Sequence, residues 1–589
     1  MRYFKIYALS ALAIFMASCS SDNDTIEPVA DNNPAAKSGS MSFSASIDAG
    51  DATRTALSSN ASNPYPVWSS GDQIKVVNAT TQDTQLFTIG AADDGKRAAT
   101  FTGNIKVDRA NPNTYYALYA GNVAATGGPT ITQSGSVVSI SGSIPSNQTP
   151  VLQLESTDTY FNPSLHFMTA CTTNDSFHFK NGMSLLKLYI ADNNYVNFGI
   201  CKIVFTANNG EKITGDFTAE IANDGTLTNY NVTNNANAKS EITIGDGTTP
   251  LASGYYYIAI HPCTFSKGFT LTYLDERDNN KKQYDRIRTT SLSVAASKIV
   301  DLGTYTARDC AKEAYVDLGL VNTTTDKKVM FCIENVYDDF GSSTCDSTAY
   351  YSWGELNVKA NQTKETDCQN YSWYYTYGIG QGGSSANITQ NEEKRSYKYG
   401  IGKGHVYDAA YAADRYIFTT STSGVLSKYN SNPSYENSIT DWSGGATDKK
   451  TELETMDDAA YQKSPQHIVR IPLVTDFEAL NTALSNGNLS AGYNSAYPGC
   501  LKIICKKEGS TYYNRYIVLP RGGYKHKTSS SDSELKEVGQ NCYWTRIRGN
   551  NSFQARSYVI IHNADGTLDR KTEEADRCQG RKLRGVIYK

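Results

Sequence analysis

The side chains able to do chemistry are plentiful but unpatterned. With 59 Asp and Glu, carboxylate pairs can be assembled anywhere, yet no two stand in the context of a glycosidase acid and nucleophile. No GxSxG elbow, HExxH helix, phosphate loop or EF-hand loop occurs. The seven His are scattered and no CxxC pair accompanies the 12 Cys, so a zinc reading fails; Cys500 and Cys505 do not make a site by themselves. Beyond Cys19, three thiols lie in the first half (Cys171, Cys201, Cys263) and eight in the second (Cys310, Cys332, Cys345, Cys368, Cys500, Cys505, Cys542, Cys578). In an exported protein those eight permit four bridges, and their connectivity is left open. The tightest charged cluster, Asp457-Asp458 with Arg470, reads as a structural ion pair or a solvated face. No catalytic residue, metal ligand or cofactor is expected, and the chain is read as non-enzymatic.

One thiol does have a chemical address. Arg2 and Lys5 precede an apolar run from Ile6 to Met16 that is too short to span a bilayer, and Ala17-Ser18-Cys19 comes directly after it. This resembles a bacterial lipobox, which implies that residues 1–18 are a lipoprotein signal peptide and that Cys19 becomes the diacylated first residue. Two acyl chains anchor stably where one does not. The next residues, Ser20-Ser21-Asp22-Asn23-Asp24, form an acidic stretch, and 19–40 reads as a flexible linker of Asp, Asn, Pro, Ala and Ser with almost nothing to bury.

Composition narrows the choices for the chain beyond the linker. The formal charge is 55 − 59 = −4, which lacks the basic face of a nucleic-acid binder. The 41 Tyr, with abundant Thr, Ser, Asn and Gly, suit half-solvated β-sheets. They equally suit recognition surfaces, where Tyr supplies rigid amphipathic contact. From Met41 short apolar runs alternate with turn residues: Phe43, Ala45 and Ile47, then Ile74, Val76 and Val77, then Leu86, Phe87 and Ile89. A second group comprises 185–190, 201–205, 255–260 and 269–273, with Phe269, Leu271 and Tyr273 expected inward. After Gly303 helices enter. Thr475-Asp476-Phe477-Glu478 reads as a capping box ahead of Phe477, Leu480 and Leu484, and Leu453 to Gln462 as a second helix.

Along the first half stand, in order, Thr53-Arg54-Thr55, Val67-Trp68, Gly71-Asp72-Gln73-Ile74-Lys75-Val76, Phe101-Thr102-Gly103, Tyr257-Ile258-Ala259-Ile260-His261-Pro262 and Lys298-Ile299-Val300-Asp301-Leu302-Gly303. In these residues the first half resembles the fimbrillin-like family of Bacteroidetes surface lipoproteins. The resemblance implies two transthyretin-like β-sandwiches, at 41–175 and 176–308, and a role as pilus subunit or adhesin. It also implies that an Arg-specific protease cuts at Arg54, releasing the first strand so that another subunit fills the gap by strand addition.

The second half, 311–589, contains Tyr315-Val316-Asp317-Leu318-Gly319-Leu320, Tyr351-Ser352-Trp353-Gly354-Glu355, Tyr371-Ser372-Trp373, Leu519-Pro520-Arg521-Gly522-Gly523-Tyr524, Cys542-Tyr543-Trp544 and Lys582-Leu583-Arg584-Gly585-Val586. In these motifs it resembles the Fibrobacter succinogenes major paralogous domain, which is C-type-lectin-like. The Trp residues read as core. The paired acids of a calcium-dependent sugar site are missing from the Cys542-Tyr543-Trp544-Thr545-Arg546 region.

Together these readings predict a mainly β protein: two tandem transthyretin-like β-sandwiches followed by an α+β C-type-lectin-like domain. The expected function is a lipid-anchored outer-membrane surface protein, an accessory or tip subunit of a fimbria with an adhesive C-terminal domain. Its partners would be other fimbrial subunits and a host or microbial glycan or protein, and no nucleic acid. The alternative is a solitary surface-binding lipoprotein that does not polymerise. The expected ligand contacts are Tyr397, Tyr399, Tyr407, Tyr411 and Tyr416, in a long polar insert at 381–440.

Overall fold

The computed structural model describes residues 37–47, 56–57, 66–120, 128–152, 158–296, 298–336, 350–351, 353–354, 450–493, 500–529, 532–536, 539–550, 554–576 and 580–589. They are mainly β. Strands Lys37–Ile47, Ser176–Asn181, Met168–Thr172, Tyr115–Tyr119, Gln73–Asn78, Asp83–Ile89 and Ala98–Val107, in that spatial order, close into a barrel. Alternation fills it: Phe43, Ile74, Val76, Phe87, Phe101 and Phe177 are buried inside. Tyr115–Tyr119 is buried along its whole length because Tyr115, Ala117 and Tyr119 face the barrel interior, while Tyr116 and Leu118 face a second core outside it.

That second core joins the barrel to two further sheets. Leu227–Val232, Gly215–Ile221, Val137–Ile144 and Thr130–Ser134 form a four-stranded sheet. Val151–Leu152, Thr159–Phe161, Gly254–Ile260, Ser184–Asp192 and Ile299–Thr306 form a five-stranded one. Leu185, Tyr257 and Ala259 of the five-stranded sheet cluster with Ile140 and Phe217 of the four-stranded one. The alternate positions Leu186, Leu188 and Ile258 turn the other way, onto Ile203, Phe205 and Leu271 of a long sheet. Phe269, Leu271 and Tyr273 are inward, as the alternation predicts.

The long sheet redraws the organisation expected from the sequence. Its eight strands run Asn147–Gln148, Glu241–Ile244, Lys202–Ala207, Phe269–Asp275, Lys282–Arg288, Tyr315–Asn322, Lys327–Asn335, Arg584–Tyr588. It therefore crosses the boundary drawn at 308/311, through the pairs Lys282↔Val316 and Gln283↔Tyr315. The boundary at 175/176 is crossed as well. Ser176–Asn181 completes the barrel, whereas Thr130–Ser134 and Val137–Ile144 pair beyond it. The linker set at 19–40 is four residues too long, since Lys37 to Ser40 pair with Val107 to Asn104. Their polar side chains carry no apolar alternation, which is why the strand's start was not legible.

Buried polar groups stitch this seam. Glu334 Oε1 accepts from Tyr195 Oη at 2.5 Å and Asn197 Nδ2 at 2.7 Å. Burial holds the Glu334 carboxyl above its ordinary pKa. Asp285 Oδ2 accepts from Tyr315 Oη at 2.7 Å and Lys589 Nζ at 2.5 Å. The Asn280 side chain pairs with the Tyr516 backbone in both directions, at 3.1 and 2.9 Å.

Helix Val474–Ser485 packs Phe477 and Leu480 into the core of the long sheet. Its cap lies two residues before the expected one. Asp476 Oδ2 reaches back to Leu473 N at 2.7 Å, and Thr475 Oγ1 instead accepts from Asn322 Nδ2 at 2.7 Å. The expected helix at 453–462 is a 3-10 turn, Thr455–Asp457, followed by Ala459–Lys463. Asp458 caps the latter through Tyr461 N and binds Arg470 Nε at 2.7 Å, fully buried: a structural ion pair. Trp353 and Trp544 are buried and bond reciprocally, Trp353 Nε1 to Thr545 O at 2.8 Å and Trp544 Nε1 to Tyr351 O at 2.7 Å. Cys500 is disulfide-bonded, while Cys310, Cys332 and Cys505 are thiols, so the eight-cysteine region does not form four bridges.

Candidate functional site

Strand Lys37–Ile47 is the first described element of the chain and closes the barrel. On one side it runs antiparallel to Ala98–Val107, from Lys37↔Val107 to Ser46↔Ala98. On the other it runs parallel to Ser176–Asn181, only from Ser44↔Ser176 to Ile47↔Phe179. Phe43, Ala45 and Ile47 point inward and are buried, while Ser40, Ser42 and Ser44 are exposed. The Phe43 ring sits 5.2 Å from Phe87, 5.0 Å from Tyr115 and 4.7 Å from Phe177. Withdrawing the strand would therefore leave an apolar groove between two strands with unpaired backbone edges, the arrangement that strand addition exploits.

The motif residues 67–76 build the floor beside this groove. Trp68 is buried, with its ring 5.0 Å from Phe101, 5.3 Å from Tyr119 and 5.5 Å from Phe179. Gly71 takes φ +88°, which allows the turn that aims Asp72 back. Asp72 Oδ2 accepts from Ser69 N at 2.7 Å and Oδ1 from Tyr119 Oη at 3.0 Å. Burial outweighs these bonds and raises its pKa to about 6. A raised carboxyl favours the fold fully at low pH, and that contribution is lost as pH climbs from about 4 through about 6. At neutral pH the loss is roughly 2 kcal/mol after screening at this partly exposed position. Asp72→Asn should therefore gain on the parent by about that amount between pH 4 and pH 7 in urea titrations. Parallel stability curves across that range would refute the burial account.

The other residues singled out by sequence fall outside the described residues: Cys19, Arg54, Trp373, and Tyr397, Tyr399, Tyr407, Tyr411 and Tyr416. Among the described residues no group of three or more His, Cys, Asp or Glu could hold a metal ion, and no helix is long and apolar enough to cross a membrane. Sequence reading passed over Arg286 and Arg288. The signal was present in the two-residue period that carries the inward Tyr284 on to both.

No protein-family model matches the chain, and no curated protein does. Among solved structures it is similar to a candidate cell adhesion protein from Bacteroides ovatus, at 12% identity over 45% of this chain and 92% of that one, with TM-score 0.30. A second such protein, from Bacteroides uniformis, gives 13% identity over 46% and 93%, with TM-score 0.28. The tip fimbrial protein Mfa3 from Porphyromonas gingivalis, truncated at its C-terminus, gives 7% over 42% and 80%, with TM-score 0.21.

Proposed function

We propose that the chain is an accessory or tip subunit of a fimbria, carried to the outer membrane through lipidated Cys19 and then, once a cut at Arg54 releases that anchor together with the first strand, joined to its neighbour by strand addition. The fold reading that accompanies it is two transthyretin-like sandwiches carrying a C-type-lectin-like adhesive unit that contacts a surface glycan or protein. Tyr397, Tyr399, Tyr407, Tyr411 and Tyr416 are its proposed contacts. The observation that carries the proposal is the first strand, whose inward Phe43, Ala45 and Ile47 and outward serines make it a removable plug in an aromatic groove. Arg54 follows that strand, where a cut frees it.

A solitary lipoprotein is the second reading, favoured by the closure of the barrel, in which the first strand of the uncut chain is paired on both sides from Ser44 to Ser46. Mixing the mature protein with purified stalk pilins, before and after Arg-specific proteolysis, separates the two. An SDS-resistant complex only after the cut, with N-terminal sequencing placing the cut at Arg54, is the expected result. Persistent monomer after cutting supports the solitary protein.

A further inference from the structure

We propose that the splayed end of the second sandwich is a binding cleft for a carboxylated sugar. On Lys282–Arg288, Tyr284 turns inward against Tyr273 at 5.8 Å. The two-residue period then puts Arg286 and Arg288 on that same inner side, opposite Leu271 and Phe269. The facing sheet supplies Val300 and Leu302, and the space between is a cleft of about 450 Å³, open to solvent. Both sheets fill their inner faces with apolar side chains until this point, where two guanidinium groups take over.

Among the described residues neither guanidinium is spent on a carboxylate: no acid comes within ion-pair distance of Arg286 or Arg288. Arg288 is steadied by its own loop, donating from Nε to Thr290 O at 3.3 Å and from Nη2 to Ser291 O at 3.5 Å. Asp301, the acid among the described residues that line the cleft, is engaged: Oδ1 accepts from Gly303 N at 2.8 Å, and Oδ2 lies 3.4 Å from Lys187 Nζ.

The planar guanidinium fork matches a carboxylate two bonds at a time. The volume suits one or two pyranose rings, with the C–H face of a ring against Val300 and Leu302 and its hydroxyls toward Thr289 and Thr290. The cleft uses neither the first strand nor the 381–440 insert, so it stands or falls independently of strand addition.

The test is calorimetric titration of the full chain with N-acetylneuraminic acid and with glucuronic acid, each beside its neutral methyl ester. At least one acid should bind, and its ester should bind about tenfold more weakly or worse. Arg286→Gln and Arg288→Gln change exposed side chains and should leave the melting temperature in place. Each should weaken the acid by about tenfold and the double variant should abolish binding. Binding by one acid and not the other identifies the sugar. The proposal is overturned if neither acid binds the folded chain, if acid and ester bind alike, or if the double variant binds like the parent.

Discussion

A fragment starting at residue 311 should fail to fold alone, although the sequence resemblance begins there. Cutting at that point removes Lys282–Arg288 from beside Tyr315–Asn322 and strips one face of the long sheet of Tyr273 and Tyr284, which share its core with Val316, Leu320 and Phe331. It also removes Tyr195 and Asn197 from Glu334, 3% exposed in the intact chain. Leaving that carboxyl without its two hydrogen bonds costs about 1–3 kcal/mol. The partners lost at Tyr315 and Tyr516 add about 1–3 kcal/mol for each group left unsatisfied, whereas the exposed Lys589 turns to water. That sum rivals the 5–15 kcal/mol by which ordinary domains are stable at all. Circular dichroism and amide spectra should show the fragment disordered or aggregating, while a chain beginning at residue 37 melts with both parts of its long sheet, before and after residue 311, in one transition. A dispersed, cooperatively melting fragment would sink the shared-sheet account.

The same seam explains what could and could not be read from sequence. Strands whose two faces differ were legible: Phe269, Leu271 and Tyr273 alternate with Thr270 and Thr272, and the structure buries the first set. Domain edges were not, because the continuation of the long sheet rests on two residue pairs. Its reinforcing side chains, Asp285, Glu334 and Lys589, look like solvated charge when written as letters. Barrel closure was hidden for another reason. It depends on a parallel pairing between Ala45 and Phe177, residues far apart in the chain, and no local pattern encodes a partner at that distance. Of the candidate site, the inward residues Phe43, Ala45 and Ile47 were read correctly. The groove that receives them belongs to strands that a linear reading divides between two domains.

That groove supports the second large effect. A chain lacking residues 1–47 should lose barrel stability sharply and recover it when a peptide of sequence 37–47 is added. Burying Phe43 and Ile47 is worth about 1.5–3 kcal/mol each. The antiparallel ladder from Lys37 to Ser46 supplies the register. A one-residue slip would turn Phe43 outward and the serines inward, so only one alignment restores the core. The edge-to-face and tilted contacts of Phe43 with Phe87, Tyr115 and Phe177 put most of the affinity on one side chain. A peptide carrying Phe43→Ala should lose about 3–5 kcal/mol, a weakening of at least a hundredfold. One carrying Ser42→Ala, an exposed position, should bind like the parent. Fluorescence anisotropy of labelled peptides against the truncated chain measures both. Equal affinities for the Phe43→Ala and parent peptides would mean that the groove is not the acceptor. A truncated chain whose melting curve matches the intact one would mean that the first strand does not hold the barrel shut.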